Sequence, residues 1–133
     1  MPRRASSQPT EAQLEVLNIL WQNGPSTVRQ VHEILQGDRR TGLTTTLKIL
    51  QVMTDKGLTV RDEGVRPHRY RPAASEARTQ TGLLADLARR AFGGSVGKMF
   101  VRAVEEGQLT GEELARIRAL IDETRKSKQR GRE

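Results

Sequence analysis

The hydrophobic period of the chain changes at Gly57, from one apolar residue every three to four positions to strict alternation. Apolar residues repeating at 3.6 mark amphipathic helices, and a period of 2 marks a half-buried strand. Before Gly57 the helical pattern comes in three short pieces. Thr10-Glu11-Ala12-Gln13 reads as a capping box, followed by the stripe Leu14, Leu17, Leu20, Trp21, and Asn23-Gly24-Pro25 stops it. Ser26 or Thr27 then caps a second helix bearing Val28, Val31, Ile34 and Leu35, which ends near Gly37.

The third piece, TGLTTTLKILQVMTDKG (41–57), begins with three threonines, which are poor helix formers. At 100° per residue, Leu43, Thr46, Leu47, Leu50 and Met53 share a core face, while Thr45, Lys48, Val52 and Asp55 lie opposite. After Gly57, LTVRD alternates Leu58 and Val60 against Thr59 and Arg61. PHRYRP alternates His68 and Tyr70 against Arg69 and Arg71, with EGVR as the turn. Three helices followed by a two-stranded hairpin is the element order of a winged helix-turn-helix, whose third helix enters a DNA major groove.

Beyond Pro72 the pattern is helical again. Ser75 opens a helix with Leu83, Leu84, Leu87, Ala88, Ala91 and Phe92, and Gly93-Gly94 ends it. A second helix carries Val96, Met99, Phe100, Ala103 and Val104. A capping box from Thr110 to Glu113 starts a third with Leu114, Ile117, Leu120 and Ile121. Three helices of this size do not hide such stripes by themselves, since segments below ~70 residues bury too little apolar surface. Two copies packing together would. The fold expected is therefore mainly α with a small β-hairpin wing. It divides into a mobile arm (1–9), a winged-helix DNA-binding domain (10–72), a three-helix dimerisation region (73–124) and a basic disordered tail (125–133).

The net charge of +7 is unevenly spread: 11 Lys/Arg against 7 Asp/Glu in residues 1–72, 7 against 8 in 73–124, and 5 against 1 in 125–133. A basic front half favours a polyanionic partner at that end. Arg39 and Arg40 precede the third helix, Thr44, Thr45 and Lys48 occupy its start and free face, and Arg66, His68, Arg69 and Arg71 line the hairpin. Arg and Lys supply affinity through phosphates, and short side chains such as Thr read base edges and thymine methyls. A threonine hydroxyl at the helix start caps the helix or meets a phosphate; His68 contacts phosphate or is merely solvated.

Other chemistries find little support. The chain has no cysteine, which excludes disulfides and thiolate sites. GGSVG (93–97) matches the G-x-S-x-G nucleophile elbow, but that motif needs a preceding strand and a later histidine, whereas a helix precedes Ser95 and both His32 and His68 come earlier. Gly-Gly-Ser reads better as a helix stop followed by a cap. The two histidines lack zinc spacing, and His32 is expected on the exposed side of the second helix. Neither an enzymatic function nor a cofactor or metal is expected. No apolar run reaches membrane length and MPRRASSQPT lacks a signal-peptide core, so a cytoplasmic location is expected.

Three segments, TEAQLEVLNILWQNGPSTVRQVHEIL, LTTTLKILQVMTDKGL and VRPHRYRP, resemble the penicillinase-repressor family, the BlaI/MecI/CopY repressors of bacteria, and the likeness continues through FGGSVGKMFVRAVEEGQLTGEELARIRALID. The resemblance implies a homodimer whose N-terminal winged helices bind a two-fold operator and whose C-terminal helices interlock. Thr44, Thr45 and Lys48 match the family's DNA-facing positions and Arg66–Arg71 its wing. Leu83, Leu84, Leu87, Phe92, Met99, Phe100, Val104, Leu114, Ile117, Leu120 and Ile121 match its dimerisation helices. It also implies a protease as an inactivating partner in the beta-lactam-responsive branch, where cleavage falls between Asn and Phe; the aligned pair here is Arg102-Ala103. Lys48 and Val52 stand where the family often has Thr and Arg, and the copper branch's cysteine-rich tail is missing. The expected function is a dimeric DNA-binding repressor released when its dimer region is inactivated. The alternative is a winged-helix adaptor that grips protein instead of DNA.

Overall fold

A computed structural model describes residues 8–35 and 42–131. In chain order these form α1 (Glu11–Asn23), β1 (Ser26–Thr27), α2 (Val28–Leu35), α3 (Leu43–Asp55), β2 (Thr59–Asp62), β3 (Arg69–Pro72), α4 (Glu76–Ala91), α5 (Val96–Glu105) and α6 (Gly111–Arg130). The chain divides into two compact units, Met1–Leu83 and Leu84–Glu133.

The first unit is a winged helix. Thr10 and Gln13 form the reciprocal capping box of α1, and Gly24, at φ 77°, turns the chain out of it. Val16, Leu17 and Leu20 from α1 meet Val31 from α2, Leu50 and Met53 from α3 and Tyr70 from β3 in one buried cluster. Each fully buried aliphatic side chain there contributes about 1.5–3 kcal/mol relative to exposure. Trp21 sits at the edge and donates its indole N–H to the Ala74 carbonyl at 3.1 Å. That bond, with the Gln8 side chain against Gly82, extends the unit past the wing into α4.

The sheet has three strands in the order β1-β3-β2, all antiparallel, where alternation in the sequence suggested two. Ser26 pairs with Tyr70 and Thr27 with Arg69. Two residues carry no legible period, and Thr27 also closes a capping box with Gln30 at the head of α2. The face assignment in β2 is also reversed. Thr59 is buried and Val60 is 37% exposed, because Gly57 and Leu58 close α3. Gly57 has φ 80° and Leu58 N–H bonds the Met53 carbonyl at 2.8 Å, so Leu58 packs on the core as part of the helix stop. The strand starts afresh with Thr59 inward. Thr54 donates to the Leu50 carbonyl, so the buried Thr59 hydroxyl donates to Thr54 at 2.9 Å.

In the second unit the local signals appear as hydrogen bonds. Ser95 accepts from Lys98 N–H at the head of α5, and Thr110 with Glu113 boxes the start of α6. Ser75 does the same for α4, in the first unit. Gly93 and Gly94, both at positive φ, end α4. Only Ala88 is buried among the described residues of this unit. The helix α6 continues through Arg130, so residues 125–130 are helical where a disordered tail was expected. Acidic Glu112 and Glu113 at its start and Lys128 and Arg130 at its end oppose the helix dipole favourably, which is why a basic run suits that end.

Candidate nucleic-acid interface

The helix α3 supplies the centre of the site. Gly42 is its N-cap and makes no side-chain capping bond, so Thr44 lies inside the first turn and caps nothing. Thr44, Thr45 and Lys48 are all exposed, as is Gln51 one turn further along, a position that helical spacing from Thr44 and Lys48 would have identified. On the opposite side Thr46, Leu50 and Met53 are buried and Leu47 is half-buried. Leu43, expected in the core, is 38% exposed; it opens the helix, before the turn that packs on α2.

The second correction concerns His32, which is half-buried and not on a solvent face. Its Nδ1 lies 2.8 Å from the Thr46 hydroxyl, so it serves the α2–α3 packing.

The wing supplies cations. Arg69 and Arg71 flank buried Tyr70 on β3 and are exposed on the sheet's other face, opposite Asp62 and Val60. Arg66 is exposed and His68 half-buried in the connection between β2 and β3. Arg61, on β2, is a further basic wing residue that the sequence did not single out for the site. Its guanidinium forms an ion pair with Glu63, with Nε at 3.0 Å from the carboxylate. The Arg61 hydrogen bond and charge hold the Glu63 carboxyl below the usual glutamate range, with smaller help from His68 and Arg66. In return Glu63, and next the Tyr70 hydroxyl, raise the Arg61 pKa. Arg39 and Arg40 lie outside the described residues.

The dimerisation candidates form a second set. Leu84, Leu87, Phe100, Val104, Leu114, Leu120 and Ile121 are between 40% and 50% exposed, and Leu83, Phe92, Met99 and Ile117 are half-buried. Arg102 and Ala103 lie in α5, where Arg102 pairs with Glu106 at 3.8 Å. Among the described residues no group of three or more His, Cys, Asp or Glu is placed to hold a metal ion. None of their helices is long and apolar enough to cross a membrane. Ser95, the serine of GGSVG, is spent as a helix cap.

Comparison with known proteins identifies a family. A family described as "Penicillinase repressor" matches residues 9–123. "Transcriptional regulator BlaI" from two strains of Mycobacterium tuberculosis, CDC 1551 / Oshkosh and ATCC 25618 / H37Rv, is 37% identical over 92 residues, covering 68% of this chain and 67% of the relative. Among solved structures, the PcaV transcriptional regulator from Streptomyces coelicolor in complex with its natural ligand aligns with 90% of this chain and 76% of its own, at 23% identity and a TM-score of 0.44. A winged helix with an outward-facing third helix and a family match spanning nearly the whole chain lead to one conclusion: this chain belongs to the penicillinase-repressor family of transcriptional repressors.

Proposed function

We propose that the protein represses transcription by occupying a two-fold DNA operator as a homodimer. The observation that carries this reading is the common outward exposure of Thr44, Thr45 and Lys48 on α3 together with Arg69 and Arg71 on the wing. Thr44 and Thr45 give the outward side of the first turn short side chains, so it fits a major groove closely, and the wing arginines neutralise phosphates beside it. Arg66 and His68 extend that contact. Arg39 and Arg40 precede α3 in the chain and belong to the same basic set by sequence.

The half-exposed apolar residues of α4, α5 and α6 support pairing of two copies, because so many large apolar side chains left in contact with water favour an interaction that covers them. Linking two heads converts the second half-site encounter into an intramolecular one and raises avidity by roughly 10²–10⁴. Loss of the dimer region, by proteolysis or unfolding, then releases the operator and induces transcription.

Gel-shift with genomic fragments at several salt concentrations tests the reading. Retention that weakens steeply with salt is expected. If no duplex is retained even at low salt, the surface is a protein-binding one and the adaptor function replaces this one.

A further inference from the structure

Val52 is the apolar exception on the outward side of α3: it is 41% exposed, while Leu50 and Met53 beside it are fully buried. It does not fill the core, and its position in the sequence offers no hydrogen bond or charge. Thr45, Lys48, Ile49 and Val52 recur at helical spacing and, with Thr10, Ala12 and Gln13 from the start of α1, line a shallow cleft of about 200 Å³. The polar groups of its α1 wall are already engaged. Thr10 and Gln13 bond one another in the capping box, and Gln13 Oε1 also accepts from Lys56 Nζ at 3.2 Å. The remaining lining is Ala12, Thr45, Ile49 and Val52, with Lys48 as its cation; Ile49 is half-buried and also packs against the core, which leaves Val52 as the exposed apolar side chain.

A largely apolar cleft with one lysine in its lining, sharing Thr45 and Lys48 with the helix face proposed to meet DNA, has one apolar counterpart on a DNA major groove. That counterpart is the C5-methyl of thymine, the one apolar group there larger than a C–H. We propose that Val52, with Ile49 and Ala12, receives a thymine methyl, which makes Val52 a residue that determines operator sequence. The proposal rests on the repressor reading above and deepens it. Lys48 holds the adjacent backbone by charge, and Val52 contributes by contact alone, so its effect is independent of salt.

The test uses full-length protein and a duplex recovered by selection from random sequences, with each thymine replaced in turn by uracil. Uracil keeps the pairing and the hydrogen-bonding edge and removes only the methyl. At one position in each half-site, uracil is expected to weaken wild-type binding about fourfold, the effect of one buried methyl group. Val52→Ala, confirmed as folded by its thermal melt, should bind the thymine and uracil duplexes equally well. The proposal is overturned if no uracil substitution weakens wild-type binding, or if Val52→Ala keeps the full discrimination. Loss of discrimination in Thr45→Ser but not in Val52→Ala also overturns it, by assigning the methyl to the threonine. Failure to retain any duplex at low salt overturns the repressor reading itself, which separates the two.

Discussion

His32 Nδ1 lies 2.8 Å from Thr46 Oγ1 and ties α2 to α3 across the helix-turn-helix. Thr46 is 1% exposed, so this imidazole is what satisfies a hydroxyl that water does not reach. The bond joins the two helices on the buried side of α3, opposite the exposed Thr44 and Thr45.

Removing either partner should therefore cost unequal amounts. His32→Ala leaves a buried hydroxyl unpaired and is expected to destabilise by about 1–3 kcal/mol, whereas Thr46→Val leaves one nitrogen of a half-buried ring unpaired and should cost about 1 kcal/mol. Urea midpoints of both single variants and of His32→Ala/Thr46→Val measure this. Strictly additive losses would show that the contact does not couple the helices.

The burial pattern of α3 makes a sharper contrast. Leu50→Ala opens a cavity in the fully buried cluster and should cost about 2–5 kcal/mol, a large share of a small domain's stability. Leu43→Ala, at a 38% exposed position, should cost less than about 1 kcal/mol. Thermal unfolding of the pair decides it; equal losses would return Leu43 to the core.

On the wing, Arg69→Ala and Arg71→Ala should each weaken DNA binding and make the plot of log affinity against log salt shallower by about 1. Thr45→Ala should change sequence preference and leave the slope alone. An unaltered slope in both arginine variants would remove β3 from the phosphate contact.

Glu63 is the acid in this basic wing. Its carboxyl is held low chiefly by the Arg61 hydrogen bond, so the pair's contribution is present at neutral pH and is lost only as pH falls through that lowered value. Carboxyl-carbon NMR should find Glu63 titrating below the ordinary glutamate range in the wild type and moving upward in Arg61→Met. Glu63→Gln should tighten DNA binding at low salt, with the gain fading as ionic strength rises.

Phe100 tests the second unit. Phe100→Glu places a charge at a 42% exposed position of α5, so the helix content by circular dichroism should hold while sedimentation shifts from dimer to monomer and DNA affinity falls at least tenfold. A Glu variant that stayed dimeric would exclude this face from the interface.

Several features were legible because they are local. The capping boxes at Thr10 and Thr110, and the caps at Ser75 and Ser95, need only residues three apart, and the structure contains each of them. The helical period alone distinguished Thr45 and Lys48 from Leu50 and Met53. Alternation placed Arg69 and Arg71 opposite Tyr70, which is 2% exposed. The extension of α6 to Arg130 was locally encoded too, but a run of charge reads as a tail unless its fit to the helix dipole is weighed.

The rest required distant parts of the chain to meet. Ser26 becomes a strand residue only because Tyr70 is there to pair with it, and Thr59 turns inward only because Leu58 is taken by the end of α3. His32 finds Thr46, and Val52 joins Ala12 in a cleft, across intervals that no periodicity spans. The amino-acid sequence by itself determined which helices form, where they stop and which side of α3 is free, since those depend on torsion preferences and hydrogen bonds within a few residues. Strand register, the partner of a buried hydroxyl and the shape beside Val52 were decided only by tertiary packing, because each is a contact energy between segments whose separation in sequence leaves no local trace.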